Sequence, residues 1–264
     1  MNRNQWQDML LSPGNEDHAW ELFHENSKNG RFSTSATDQD VRDHLARLHE
    51  SLPFEGYPMV ELPRSLAPLQ LSLEQAITTR VSVREFTTGP LTLQTLATLL
   101  HYGYGVSRAR TDSDVPHSLR VVPSAGALYP LEIFFHTARI EGLTAGLYHY
   151  NPSKNHLRLL RAGDETGTVS QAMIQPDIAL GASLIVFITA FFERSIFKYQ
   201  DRGYRFVLLE AGHVAQNLNL VSNALGLGAL NVGGFFDREI DAFLNLDGVT
   251  QSTIYMAAIG KHSG

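Results

Sequence analysis

Cysteine is absent from all 264 residues. Without it the chain has no disulfide, no thiolate nucleophile and no cysteine metal site, so any redox chemistry must be carried by a bound cofactor. Long apolar runs are missing too: none reaches the roughly 18 residues that a membrane-spanning helix needs. Met1 to Leu11 is polar and lacks the apolar core of a signal peptide. A cytoplasmic protein with no membrane partner is expected. Positive charge is in deficit, with 21 Lys and Arg against 27 Asp and Glu for a net charge of −6. That balance argues against nucleic acid as a partner and leaves room for a local basic pocket. None of the 11 histidines stands in an HExxH arrangement, and no metal site is expected. What remains, 43% hydrophobic and 18% charged residues, is ordinary globular material with enough length for a large core.

The stretch from Phe191 to Asp237 organises the rest. Its middle, Arg205 to Leu225, has apolar residues at Phe206, Leu209, Ala215, Leu218, Val221 and Leu225, with Val207, Leu208, Val214 and Leu220 around the remaining circumference. A helix apolar nearly all round is a buried one. Glu210, His213, Gln216, Asn217 and Asn219 interrupt it, and buried polar groups need hydrogen-bond partners. The helix is therefore expected to face a polar partner, a subunit or a ligand, with His213 as a satisfied core histidine. A cationic and aromatic patch precedes it (Arg194, Lys198, Tyr199, Arg202, Tyr204, Arg205), and Gly226, Gly228, Gly233 and Gly234 follow.

Residues 1–68 read as a helical lead-in and a Pro-rich connector, and residues 69–264 as the main domain. Helices are expected over Ala19 to Glu25 and, from a Thr37/Asp40 capping box, through His49. Pro53, Pro58, Pro63 and Pro68 make an extended surface connector. Leu73 to Thr79 and Pro90 to Tyr102 are further helices. Arg108 to His117 is an exposed loop. Strands are expected over Leu131 to Phe135, Gly146 to Tyr150, Leu157 to Leu160, Leu184 to Thr189 and Ser252 to Ile259, the second and third forming a hairpin. Helices and strands without regular alternation favour an α+β fold.

Arg80, Ser82 and Arg84 are spaced two apart, so on an extended backbone two guanidiniums and a hydroxyl share one side. An anion site and a solvated charged loop both fit that spacing. Pro123, Ser124 and Gly126 form a tight turn. Val122 stands where a hydrolase elbow needs its first glycine, which makes Ser124 a turn hydroxyl and not a nucleophile. Gly226 and Gly228 lack the third glycine of a dinucleotide fingerprint, and Gly260-Lys261 lacks the earlier glycine of a P-loop.

Four segments in order, Thr79 to Phe86 (TRVSVREF), Pro123 to Pro130 (PSAGALYP), Phe197 to Arg205 (FKYQDRGYR) and Gly212 to Asp237, resemble the nitroreductase-like FMN oxidoreductases. The similarity is greatest to the SagB-type branch, which oxidises azolines to azoles on ribosomal peptides, and it extends from about Ala19 to Lys261. The resemblance implies a nitroreductase-like fold, a mixed sheet flanked by helices, in a homodimer with FMN at the interface. It implies that Arg80, Ser82 and Arg84, with Lys261, hold the phosphate, ribityl chain and pyrimidine edge of FMN. Pro123, Ser124, Ala125 and Gly126 would approach the ring from the other subunit, and Gly233 and Gly234 would bring backbone amides near it. Lys198 and Tyr199 match the family's Lys-Tyr pair and are implied as the proton-abstracting residues. The implied partners are a cyclodehydratase complex and an azoline-containing precursor peptide, with oxygen as electron acceptor. An NAD(P)H-dependent nitroreductase or quinone reductase and a non-catalytic flavin-bearing scaffold remain alternatives.

Overall fold

The computed structural model describes residues 19–31, 36–47, 49–109 and 118–263. Met1 to Leu11 lies outside the described residues. Of the loop expected over Arg108 to His117, only Arg108 and Ala109 are described, and they end a strand. Among the described residues, no helix is long and apolar enough to cross a membrane.

The fold is built on a seven-stranded sheet of β1 (Met59–Glu61), β4 (Leu131–Thr137), β5 (Gly146–Asn151), β6 (His156–Ala162), β7 (Leu184–Phe191), β8 (Gly228–Val232) and β9 (Gln251–Gly260), in the order β1-β6-β5-β4-β7-β9-β8. Every pairing between these strands is antiparallel. Parallel pairing is limited, among the described residues, to two isolated bridges, Ser82 to Ala229 on the open edge of β8 and Leu91 to Ile140 beyond the end of β4. Strands β2 (Val106–Ala109) and β3 (Ser118–Arg120) form a separate ribbon. Strand β4 is buried at every position and β7 at all but its last, because both faces are covered. Leu131, Ile133 and Phe135 of β4, with Val186 and Ile188 of β7, point into one core. Phe134, Ile185 and Phe187 point into the other. The connector is more than a surface strap, since its Met59–Glu61 pairs with β6 as an edge strand and Leu62 is buried.

Three helices begin where a side chain satisfies one of the first amides. In α2 (Asp38–Leu45), which follows α1 (Ala19–Asn26), Thr37 and Asp40 form the expected capping box. In α3 (Leu73–Thr79), the Ser72 hydroxyl accepts from Gln75 N (3.2 Å) and the Gln75 side chain accepts from Ser72 N (3.0 Å). Thr92 caps α4 (Leu93–Tyr104). The second face of the sheet is covered by α5 (Thr166–Gln171), α6 (Pro176–Gly181) and α9 (Asp237–Leu244). Helices α7 (Glu193–Tyr199) and α8 (Asp201–Ala224) follow β7.

Helix α8 lies against α4 and the first face of the sheet through Val207, Ala211, Val214, Ala215 and Leu218. Burial all round is not what the chain shows. Leu208 is 42% and Leu209 59% exposed, and His213 and Gln216 lie on the same open side. His213 is therefore no core histidine within the chain. Two polar residues of the helix meet partners from neighbouring elements: Asn217 Nδ2 donates to Tyr102 O (2.9 Å) and Asn223 Nδ2 to Ala76 O (3.1 Å).

Two buried carboxylates tie the layers together. Glu132 on β4 accepts from Arg194 Nη2 at 2.7 Å, Ser51 Oγ at 2.9 Å and Leu52 N at 2.9 Å, and pairs with His149 Nε2 at 2.7 Å. Burial alone would raise its pKa, but Arg194, then His149 and Arg120, outweigh burial and hold it well below the usual carboxylate range. Glu210 on α8 accepts from Tyr104 Oη at 2.6 Å. Burial dominates there and lifts its pKa to about 7, against the lowering effect of hydrogen bonds from Ser124 and Tyr104.

The two groups act on stability in opposite senses. Glu132, depressed in the folded state, contributes stability that is present above the unfolded carboxylate pKa and is lost as pH falls below it. Glu210, raised in the folded state, contributes stability that is complete below pH 4.5 and is lost as pH rises through about 7. Urea midpoints measured across this range should pass through a maximum. Glu210→Gln should flatten the alkaline limb, an effect on the order of 3 kcal/mol. Glu132→Ala should cost about 3–5 kcal/mol by leaving Arg194 unpaired in the interior. An alkaline limb unchanged in Glu210→Gln would contradict this account.

Candidate functional site

The expected anion-binding residues lie on one ribbon at the edge of the sheet. Ser82 bridges to Ala229, and Val83 N donates to Ala229 O at 3.0 Å, so the segment runs extended beside β8. Side chains two apart on such a backbone share a side. Arg80 is half-buried and Ser82 and Arg84 are exposed, and Arg80 Nη1 lies 3.4 Å from Ser82 Oγ as its donor. The close approach depends on Gly228, where an added Cβ would come within 2.7 Å of Val83. The same segment receives the end of β9, with Thr87 N donating to Lys261 O at 2.8 Å and the Lys261 side chain resting on Gly89. Arg80, Ser82, Arg84 and Lys261 thus form one cationic edge.

The remaining candidates cluster toward the other end of the sheet. β7 leads into α7, whose last two residues are Lys198 and Tyr199. Gln200, with φ of 49°, breaks the helix and redirects the chain into α8. The two helices pack tightly because Gly203 lies where a Cβ would be 3.0 Å from the Ile196 backbone. Tyr199 meets Phe206 edge-on at 5.0 Å, and Lys198 Nζ stands 5.3 Å from the Tyr199 ring centre. Both converge on the turn after Pro123. A Cβ at Gly126 would be 2.6 Å from Tyr199 Oη and 3.2 Å from Lys198 Nζ. Pro123 is exposed, Ser124 and Ala125 are half-buried, and Gly126 is exposed. Ser124 Oγ accepts from Tyr129 N at 3.0 Å, which agrees with its reading as a turn hydroxyl.

Gly233 and Gly234 leave the end of β8. Gly233 lines an open cleft of about 490 Å³ with Phe192, Tyr204, Leu208, Val249 and Ser252, a volume in the ordinary range of ligand clefts. Gly234 packs on Ile174, whose amide donates to its carbonyl at 3.0 Å. The twelve candidate residues thus form two groups, the cationic edge beside the start of β8 and the Lys198/Tyr199, turn and glycine groups toward the far end.

The cationic patch expected before α8 is divided among structural tasks. Arg194 is held by Glu132 and lies 5.0 Å from the Phe191 ring centre. Arg205 donates to His24 O (2.6 Å) and Ser27 Oγ (2.8 Å), and Arg202 to Ser27 O (3.2 Å), so both grip the end of α1. His44 of α2 stacks on Phe197 at 3.8 Å, next to Lys198. Glu132, Tyr104 and Arg120 carry no local pattern that would mark them. Glu210 does, as a carboxylate in an apolar helix.

The cationic edge suits a phosphate, since two guanidiniums, a hydroxyl and an ammonium supply charge-assisted donors. Asn231 Oδ1, on β8 between Ala229 and Gly233, is buried with no hydrogen-bond partner, as expected of an acceptor awaiting a ligand donor. Donors, orphaned acceptor and glycine-lined cleft follow one another along a single strand.

The nitroreductase family model matches residues 77–261. The chain is 39% identical over 180 residues to the nitroreductase-type protein MJ1384 of Methanocaldococcus jannaschii, covering 67% of this chain and 86% of that protein. It is 33% identical over 157 residues to the microcin B17-processing protein McbC of Escherichia coli, covering 53% and 54%. With the trifolitoxin-processing protein TfxB of Rhizobium leguminosarum bv. trifolii the identity is 29% over 185 residues, 65% of this chain and 48% of that protein. The match therefore spans about half the length of these two processing proteins. Among solved structures, a nitroreductase-type protein of Anabaena variabilis superposes with a TM-score of 0.71 at 23% identity, covering 92% of this chain and 47% of that one. A chain of the E. coli microcin synthetase McbBCD complex with truncated pro-MccB17 bound gives 0.56 at 22% identity, covering 93% and 92%. These two likenesses agree on the fold. With a family match that takes in every strand from β2 to β9, and a relative 39% identical over two thirds of the chain, this protein belongs to the nitroreductase family of oxidoreductases.

Proposed function

We propose that the protein is an FMN-dependent dehydrogenase that oxidises thiazoline or oxazoline rings to thiazoles or oxazoles on a ribosomally made peptide. The observation that carries this reading is the convergence of Tyr199 Oη and Lys198 Nζ on the Gly126 turn. Aromatising an azoline removes a proton from the carbon alpha to the carbonyl and a hydride from the adjacent methylene. A proton acceptor must therefore stand next to a two-electron acceptor. The processing roles named for McbC and TfxB support peptide as the substrate class.

Arg80, Ser82, Arg84 and Lys261 would hold the FMN phosphate and the polar groups that follow it. From Ala229 to Gly233 is four residues of β8, roughly 13 Å of strand, which a phosphorylated chain ending in a planar ring can span. Bound FMN supplies the two-electron acceptor, and oxygen takes the electrons on. Lys198 and Tyr199 receive the proton, with Tyr199 orienting or relaying it. The exposed Gly126 and Gly233 allow the substrate ring to approach backbone closely.

The open side of α8, with Leu208 and Leu209, is flanked by α3, whose Leu73 and Ile77 are also exposed. A second copy of the chain covering this face would make the homodimer and bring the partner's Pro123–Gly126 turn to the cofactor. A cyclodehydratase complex and a precursor peptide are the remaining partners in this reading. The McbBCD complex with bound pro-MccB17 supports such an assembly.

Lys198→Ala and Tyr199→Phe should each lower azole formation from a synthetic azoline peptide by about 10²- to 10⁴-fold, read as the mass loss of two hydrogens, while the protein keeps its yellow colour. Wild-type rates in both variants would return the pair to a structural role. Rapid bleaching of the flavin by NAD(P)H, with no azole formed by the wild type, would replace the proposal with a reductase.

Arg80→Ala should weaken FMN by roughly 10- to 100-fold, the worth of one charge-assisted bond. Riboflavin, which has no phosphate, should lose much less. Equal losses for the two ligands in a fluorescence titration would show that Arg80 does not meet the phosphate.

Sedimentation at micromolar concentration should show a dimer. Leu209→Arg should shift it toward monomer, and a wild-type monomer with bound flavin would contradict the composite site.

A further inference from the structure

The turn that meets Lys198 and Tyr199 is strained, and its strain is confined to a few residues. Gly126 has φ of 64°, Ala127 of 54° and Tyr129 of 47°. A residue with a Cβ held in the left-handed region costs of order 1 kcal/mol or more, and two within three positions persist only where the surroundings over-determine the backbone. Glu210 stands beside this turn and holds its far end. At the start, Ser124 Oγ accepts from Tyr129 N at 3.0 Å and closes the turn on itself. At the finish, Tyr104 Oη donates to Glu210 Oε1 at 2.6 Å and accepts from Leu131 N at 3.3 Å. The carboxylate thus fixes the backbone after Gly126 through one hydroxyl that is itself engaged with the first amide of β4. That hydroxyl is itself enclosed. The Arg120 guanidinium lies 4.2 Å from the Tyr104 ring centre and 5.1 Å from that of Tyr129, and Arg120 N donates to Tyr129 Oη at 2.9 Å.

We propose that Glu210 is a positioning residue for the Lys198/Tyr199 pair, acting through Tyr104 to hold the Gly126 turn at the depth where the tyrosine hydroxyl and the lysine nitrogen meet it. The inference rests on the assignment of that pair as the base, although the geometry it describes does not. The role is one of hydrogen-bond acceptance and not of charge or proton transfer, which distinguishes the isosteric amide from an apolar replacement. A glutamine at 210 retains an oxygen for Tyr104 to donate to. A leucine retains the volume and offers no acceptor.

The test uses the full-length protein with its flavin. Hydrogen exchange of the backbone amides at Ala127 and Tyr129 should accelerate by at least about tenfold in Glu210→Leu, because local opening of the turn becomes easier. Tyr104→Phe, a milder change that deletes one hydroxyl, should accelerate the same amides to a lesser degree. Glu210→Gln should keep them near the wild-type rate. In azoline oxidation, Glu210→Leu and Tyr104→Phe should lower kcat with a smaller change in KM, and Glu210→Gln should restore most of kcat. Unchanged exchange in both Glu210→Leu and Tyr104→Phe would overturn the proposal. A Glu210→Gln variant as slow as Glu210→Leu despite a protected turn would overturn it too, since Glu210 would then act through its proton. The exchange measurement needs no substrate, so a wild type that oxidises no azoline would sink the functional reading and leave this arm able to decide the clamp.

Discussion

The position of helix α7, and with it Lys198 and Tyr199, depends on the Glu132 carboxylate. Its oxygens collect Arg194 from the first turn of α7, His149 from β5, and Ser51 and Leu52 from the connector. Replacing a buried ion pair with apolar groups is often neutral or stabilising, so stability alone does not explain its presence. Geometry does. An apolar contact tolerates sliding, whereas a guanidinium at 2.7 Å from one carboxylate oxygen fixes the start of a helix to within a few tenths of an ångström. Tyr199 lies five residues beyond Arg194, little more than one helical turn, so little of that precision is lost before the pair.

The lead-in helices act on the same segment from outside. Arg202 and Arg205 reach back to the end of α1, and His44 of α2 stacks on Phe197. The segment Phe197 to Arg205 is therefore held from below by Glu132 through Arg194, and from above by two helices far away in sequence. Its cations are largely spent on this anchoring. A patch that looks like a substrate-binding surface when read as a string becomes, in three dimensions, the mounting of two residues.

Elements whose signals are local were legible in the sequence. The capping box at Thr37, the alternation at Arg80, Ser82 and Arg84, and the apolar runs of β4, β7 and β9 each mark an element through neighbouring residues. β8 was not marked, because GALNV is five residues long, begins with glycine and contains asparagine, yet it carries the ribbon that aligns the cationic edge. Helix α7 was hidden in a run of charges and aromatics whose partners are non-local. The Glu132 hub and the clamp at Glu210 join residues 62 and 106 positions apart, and no spacing rule reaches that far. His213 misled for a related reason: the apolar circumference of its helix predicts burial, but not by whose surface.

That helix has two sides with different duties, and the sequence blends them. On one, Val207, Glu210, Ala211 and Val214 face the sheet and α4, and the carboxylate is admitted only because Tyr104 meets it there. On the other, Leu208 and Leu209 face outward, 42% and 59% exposed. Leu209 and Glu210 are adjacent in sequence. In the proposed dimer, a second copy pressing on Leu209 bears on the same helical turn that holds the Gly126 loop. Since that loop is also what the partner would present to the cofactor, closing the interface and setting the depth of the turn become one event, and each subunit's site is ordered only when both helices are in place.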